Sequence, residues 1–86
     1  PKAVTSEYQK ISQINVTIDQ KGRIAIDKKP TQLNALTGQV KTLINQKRQA
    51  VVIINADERV NHGQVIAVMD RLRTIQGIRL AIATRQ

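Results

Sequence analysis

Val51-Val52-Ile53-Ile54-Asn55-Ala56-Asp57-Glu58-Arg59-Val60-Asn61-His62-Gly63-Gln64-Val65-Ile66-Ala67-Val68-Met69-Asp70 is the stretch from which the fold can be worked out. The β-branched run Val51 to Ile54 reads as a strand covered on both faces, and therefore central in its sheet. An acidic turn at Asp57-Glu58 follows. Asn61 then caps a helix, and Gln64, three residues on, is placed to reach back to it in a variant of the capping box. Val60 and Val65 stand where a hydrophobic staple would pair them. Val65, Val68, Met69, Leu72 and Ile75 form the buried stripe of that helix. Gly77 stops it in the left-handed conformation, and Ile78 folds back on the last turn. No nucleophile, metal cluster or phosphate loop accompanies the stretch. It points to a scaffold that touches partners rather than to an enzyme.

Downstream, Ile78 to Thr84 alternates. Ile78, Leu80 and Ile82 face one side, and Arg79, Ala81 and Ala83 the other, as in a strand. Upstream, Ile14, Val16 and Ile18 alternate with Asn15, Thr17 and Asp19. Gln20-Lys21-Gly22 makes a turn with Gly22 at a left-handed position, and Ile24 and Ile26 alternate with Arg23, Ala25 and Asp27. These two segments predict a β-hairpin. Pro30-Thr31 ends its second strand and opens a helix of about four turns, with Leu33, Leu36, Val40, Leu43 and Ile44 on one stripe. Gly38 inside that helix costs about 1 kcal/mol relative to Ala, so the helix relies on packing.

The fold class is therefore α+β: a mixed β-sheet in the order strand, strand, helix, strand, helix, strand. The usual handedness of strand–helix–strand crossovers puts both helices on one face. The other face would show Asn15, Thr17, Ala25, Ala81, Ala83 and part of the Val51–Ile54 run. It is too aliphatic to serve only as a solvated surface.

With 86 residues the chain makes one domain. A chain of this length buries only about 60–65% of the surface its unfolded form exposes, so one modest core is all it builds. Aliphatic side chains supply that core, because the sequence has one Tyr and neither Phe nor Trp. Cys is absent, which excludes disulfides and thiolate metal sites. No cofactor is expected. The sequence contains neither a bilayer-spanning apolar run nor a signal peptide. The chain opens on Pro1 rather than Met and reads as a piece cut from a longer protein. Residues 1–13 are polar and without period, as in a linker.

Lys and Arg number 14 against 6 Asp and Glu, a net charge of +8. Such a balance favours anionic partners. The cations are scattered, however. Only Lys28-Lys29 and Lys47-Arg48 are adjacent, and none is interleaved with aromatics. A general positive field is expected rather than a defined anion groove.

Each candidate residue carries a bland reading beside its functional one. Asp57 and Glu58 could form a carboxylate pair for acid–base chemistry, but acidic groups before a helix also favour its positive dipole end. Asp57 is read first as a helper of the turn and second as a partner contact, with Val60 beside it. His62 is the only His, and a pH-sensing role is one reading of it, since His as a residue type switches charge near neutrality. As a first-turn surface residue it needs no role. Asp70 can pair with Arg73 or Thr74 at helical spacing, and Met69 is a core residue before it is an adaptable contact. The closing strand is the best docking candidate, because an uncovered edge invites another strand. Arg79, Leu80, Ala81, Ile82, Ala83 and Thr84 are its residues.

Residues 13 to 84 resemble the periplasmic domain of the ExbD/TolR family of proton-motive-force transducers. The resemblance rests on the Ile14-x-Val16-x-Ile18 strand, the Gly22 turn and the Leu-bearing helix that leads to Val51-Val52-Ile53-Ile54. It continues through Ala56-Asp57-x-x-Val60, Gly63-Gln64-Val65-Ile66-x-Val68-Met69-Asp70, Gly77-Ile78 and the strand to Thr84. Pro1-Lys2-Ala3 is similar to the segment after the family's single membrane helix. His62 departs from the family pattern, which usually has Tyr there, and the chain is more basic than the pattern.

The resemblance implies a linker over 1–13 that follows a transmembrane helix, and a periplasmic domain over 14–86. It implies an inner-membrane, single-pass protein that forms a homodimer beside an ExbB/TolQ-like membrane subunit. Its output would pass to a TonB/TolA-like protein or the cell wall, with peptidoglycan or anionic lipid as the anionic contact. The proton-carrying Asp of the family lies in the membrane helix, so no residue here takes that role. The competing reading is a basic α/β nucleic-acid-binding module, which would explain the charge by phosphate contacts. An RNA-binding sheet normally exposes aromatics for stacking, and this one has none to offer. Binding of nucleic acid is accordingly not expected. An enzyme would require a nucleophile–base constellation that the sequence does not contain.

Overall fold

The computed structural model describes residues 12–44 and 50–85. The expected linker lies outside the described residues up to position 11, as does the Lys47-Arg48 pair. Ser12 and Gln13, assigned to the linker in the sequence reading, already belong to strand β1 (Ser12–Ile18). The remaining elements are β2 (Ile24–Ile26), β3 (Lys29–Thr31), α1 (Leu33–Leu43), β4 (Ala50–Asp57), α2 (His62–Arg73) and β5 (Ile78–Arg85). They form one five-stranded sheet in the order β3-β2-β1-β4-β5. The hairpin strands pair antiparallel, and β1, β4 and β5 run parallel. The fold is thus α+β with a mixed sheet and two helices.

The expected hairpin is present, but its second arm turns again. Asp27 and Lys28 take positive φ values of 48° and 75°, the left-handed pair that a tight two-residue hairpin turn demands. Lys29, Pro30 and Thr31 then run back along β2 as a short fifth strand. The sequence reading took Pro30-Thr31 as a strand end and helix start. Pro is tolerated here because β3 lies at the sheet edge. The Asp27 carboxylate accepts from the Asn15 N–H at 3.1 Å, and the Asp27 N–H donates to the Asn15 carbonyl at 2.8 Å.

Among the described residues the sheet is buried on one face only. Ile14, Val16 and Ile18 of β1, Ile24 and Ile26 of β2, and Val52, Ile54 and Ala56 of β4 are all buried. They pack against Leu36 and Val40 of α1 and Val68, Leu72 and Ile75 at α2. Each such aliphatic side chain contributes about 1.5–3 kcal/mol when fully buried. Val51 and Ile53 are only half-buried. The β4 run therefore alternates, and the expectation that both of its faces are covered does not hold. Its apolar open face shares cross-strand rows with Asn15, Thr17, Ala81 and Ala83. β4 is nonetheless interior, between β1 and β5.

Helix α1 has 11 residues, about three turns rather than four. Leu36 and Val40 carry its buried stripe, Leu33 and Ile44 pack at its margin, and Leu43 is 45% exposed. Leu43 falls at the edge of the stripe, where only one helix and a short hairpin could cover it. The helices meet where the Thr37 hydroxyl donates to the Arg71 carbonyl at 3.4 Å.

Candidate functional site

β5 follows from the way α2 ends. Gly77 takes φ 85°, a left-handed stop for the segment after the helix. The Gly77 carbonyl accepts from the Ala50 N–H at 3.2 Å, which sets β5 beside β4 with Ile78 opposite Ala50. In a parallel ladder of this phase, the N–H and C=O groups of Arg79, Ala81 and Ala83 point towards β4. Those of Ile78, Leu80 and Ile82 point outward. Among the described residues β5 has a single neighbour, so there these outward groups form a free edge along a strand of eight residues.

Side chains on β5 grade in depth. Ile78 and Leu80 are half-buried and pack against the core. Arg79, Ala81 and Ala83 are exposed on the open face. Ile82 was expected on the covered side with Ile78 and Leu80. It lies in register with the buried Ile54, yet it is 51% exposed. The reason is position: α2 covers β4 and the inner side of β5, and nothing among the described residues stands beyond the edge. Ile66 of α2 is 44% exposed. The edge thus combines unpaired backbone groups with large apolar side chains.

The opposite edge is built differently. β3 has three residues, Lys29-Pro30-Thr31. Shortness, Lys and Pro are the devices that keep an edge from pairing with another chain. Among the described residues one edge of this sheet is guarded and the other is open.

Asp57, Val60 and His62 gather at the far end of β4, near the register positions of Ala83 and Thr84 and away from Arg79. The Asp57 carboxylate accepts from the Arg59 N–H at 2.8 Å, and the Asp57 carbonyl accepts from the Val60 N–H at 3.0 Å. Asp57 builds the turn. Val60 packs against the core, and His62 is exposed at the first position of α2. Asn61 caps the helix as expected, its side chain accepting from the Gly63 N–H at 2.7 Å. Gln64 does not reach back to the cap. Its amide nitrogen donates to the Gly22 carbonyl at 3.0 Å, so it ties the helix start to the β1–β2 turn.

That turn is held by Asp19, whose carboxylate accepts from the N–H groups of Lys21 (2.9 Å) and Arg23 (2.8 Å) and from the Arg23 guanidinium (2.6 Å). The Arg23 backbone N–H is the largest influence holding the Asp19 carboxyl below its ordinary value. Desolvation opposes it, and the Arg23 side chain and the Lys21 N–H add to it. No group of three or more His, Cys, Asp or Glu among the described residues is placed to hold a metal ion.

Charge is distributed unevenly between the two ends. The parallel strands share a direction and both helices return against it, so the last turns of α1 and α2 lie at the end where β4 and β5 begin. Lys41, Arg71, Arg73 and Arg79 are exposed there, with Asp70 pairing Arg73 at 3.6 Å. Cations in the last turn also complement the helix dipoles. The other end is mixed, with Asp19, Asp57 and Glu58 against Lys21, Arg23 and Arg59.

A groove of about 450 Å³ that the sequence reading did not anticipate opens between α1 and the β2–β3 turn, lined by Ile26, Lys29, Ala35, Gly38, Gln39 and Leu43 among others. The signal for it was present in the small residues Ala35, Gly38 and Thr42, which share one face of α1.

The family model described as biopolymer transport protein ExbD/TolR matches residues 1–86. A protein of Synechocystis sp. named "Putative biopolymer transport protein ExbD" is 24% identical over 84 residues. That alignment covers 98% of this chain and 31% of the relative, so the chain spans about a third of the length of the curated relative it matches. With the family model matching it from the first residue to the last, this chain belongs to the ExbD/TolR family of biopolymer transport proteins.

Proposed function

We propose that this chain is the periplasmic module of an inner-membrane proton-motive-force transducer. In this reading it follows a linker and a membrane helix, and it acts as a homodimer. It couples an ExbB/TolQ-type proton channel to a TonB/TolA-type partner or to the cell wall, in energised transport across the envelope. The observation that carries the reading is the family match along the whole chain.

The geometry supports the same role. An aliphatic sheet backed by two helices makes a stiff body, and among the described residues β5 offers a long free edge through which motion can be passed to another chain. Arg79, Leu80, Ala81, Ile82, Ala83 and Thr84 are the proposed docking residues, with Asp57, Val60 and His62 as a second contact at the far end. The cations at the end that holds Arg71, Arg73 and Arg79 suit peptidoglycan or anionic lipid. The test is purification of the intact protein from its native membranes, with identification of the subunits that accompany it. A multi-pass ExbB/TolQ-like subunit is expected. Recovery from the cytosol without a membrane subunit would overturn the proposal.

A further inference from the structure

We propose that the groove beside α1 binds a single-chain fatty carboxylate, with the hydrocarbon along α1 and the carboxylate at Lys28-Lys29. This goes beyond the transport role and does not depend on it. Three features that the docking residues leave unused meet at this place: the groove, the adjacent lysines of the β2–β3 turn and the exposed Leu43.

The groove encloses about 450 Å³. That is within the range of small-ligand sites, which are mostly apolar with a few polar groups that fix orientation. Ile26, Ala35, Gly38 and Leu43 supply the apolar lining. Ile26 is buried, and Leu43 is 45% exposed. Gly38 opens the wall, since a Cβ built there meets nothing within 4 Å. From Ala35 to Leu43 the helix axis advances about 12 Å, which matches an extended chain of about ten carbons.

The lining offers hydrocarbon contact and few backbone partners. Backbone groups within α1 are engaged in the helix ladder, and the Gly38 carbonyl also accepts from the Thr42 hydroxyl at 3.0 Å. Pro30, on the neighbouring edge strand, has no N–H to give. A peptide strand would lose its hydrogen bonds to water here without replacing them; a hydrocarbon has none to lose.

Charge is concentrated on the turn. Lys29 lines the groove and Lys28 precedes it, both exposed. Neither has an ion pair among the described residues. Asp27 also lines the groove, but its carboxylate accepts from the Asn15 N–H at 3.1 Å. Two ammonium groups against one engaged carboxylate favour an anionic head over a neutral or cationic one. Lys stems lie along apolar surface while their heads stay in water, which suits a ligand whose carboxylate remains at the rim.

Decanoate is the probe. It is titrated into the 86-residue chain and followed by backbone amide shifts in heteronuclear NMR spectra, with decyltrimethylammonium as a control of equal chain length. Saturable shifts are expected at Lys29, Gly38, Gln39 and Leu43. The cationic control is expected to bind roughly tenfold more weakly or worse. Gly38→Leu, whose side chain fills the groove while favouring the helix, is expected to abolish the shift at Lys29. Lys28→Glu combined with Lys29→Glu is expected to weaken decanoate binding about tenfold or more. Circular dichroism melts establish that both variants are folded.

Equal binding of the two amphiphiles would overturn the proposal, as would decanoate binding undiminished by Gly38→Leu or the absence of saturable shifts. Anionic phospholipid vesicles that broaden groove signals which decanoate leaves unmoved would overturn the single-chain ligand in favour of a bilayer surface. None of these results bears on whether the intact protein co-purifies with a membrane subunit.

Discussion

The amide nitrogen of Gln64 donates to the carbonyl of Gly22 at 3.0 Å across 42 residues of chain. The bond joins the first turn of α2 to the β1–β2 turn. Gly22 carries φ 83°, and a Cβ built on it would sit 3.6 Å from the Gln64 side chain, an ordinary contact. Backbone conformation, rather than space, is what requires glycine there. Replacing Gln64 by Ala should cost about 1 kcal/mol, the net value of a hydrogen bond. Gly22→Ala should cost about 1–2 kcal/mol through the left-handed backbone alone. Urea unfolding of both variants checks this, and a Gln64→Ala variant as stable as the parent would remove the tie from the account.

Asp19 gives a pH signature to the same turn. Its folded carboxyl sits below the ordinary value, chiefly because it accepts from the Arg23 N–H. A depressed carboxylate contributes stability that is fully present above the unfolded value, near pH 4, and is lost as pH falls through the folded value. Asp19→Asn should therefore be less stable than the parent at neutral pH, and the gap should close as the solution is acidified below that range. Thermal melts of both proteins across pH provide the comparison. A gap that widens on acidification would contradict the assignment.

Much of this fold is legible in the sequence, because the apolar periods are clean. The alternation of Ile14, Val16 and Ile18 and the stripe of Val65, Val68 and Leu72 gave the elements and their buried faces. Asn61 marked the start of α2 by chemistry that is local to the chain, whereas the helix ends at Arg73 with Thr74 as its C-cap, before the Gly77 expected to stop it. What could not be read is non-local. Lys29-Pro30-Thr31 has no strand pattern of its own and becomes a strand only because Asp27-Lys28 turns it back on β2. Gln64 could satisfy its own cap or a distant carbonyl, and only the packing of α2 over the first hairpin decides between them. Leu43 and Ile82 read as buried by spacing, yet each stands at a margin where the next covering element is absent among the described residues. Of the candidate contacts, Asp57 had a local explanation from the start, and its bond to the Arg59 N–H bears out the turn reading.

Gly38 lies within α1, and a Cβ placed on it would meet nothing within 4 Å. Its backbone is helical, so Ala fits without strain. Gly38→Ala should raise stability by about 0.5–1 kcal/mol by lowering the freedom of the unfolded chain. The midpoint of urea unfolding should rise with its slope unchanged. A loss of stability would mean that the open groove beside α1 is filled by some part of the protein in solution.

One row across the sheet and the residue two positions further along β5 supply a graded series. Val52, Leu80 and Ile82 lie on the covered face; Val52 is 0% exposed, Leu80, directly opposite it, is half-buried, and Ile82 is 51% exposed. An unpaired carboxylate is costly in proportion to the water it loses. Val52→Asp should abolish folding, because the core offers it no partner among the described residues. Leu80→Asp should also unfold a domain of this size, since Leu80 packs against the core cluster and a charge there loses part of its water and gains an apolar neighbourhood. Ile82→Asp should stay within about 0.5 kcal/mol of the parent in the monomer, as for a surface substitution. Arg79→Glu, on the open face, should likewise keep the fold while weakening attachment to anionic vesicles. If Arg79→Glu melts the domain and Leu80→Asp does not, the strand faces the other way, and the covered side of β5 has been assigned to the wrong residues.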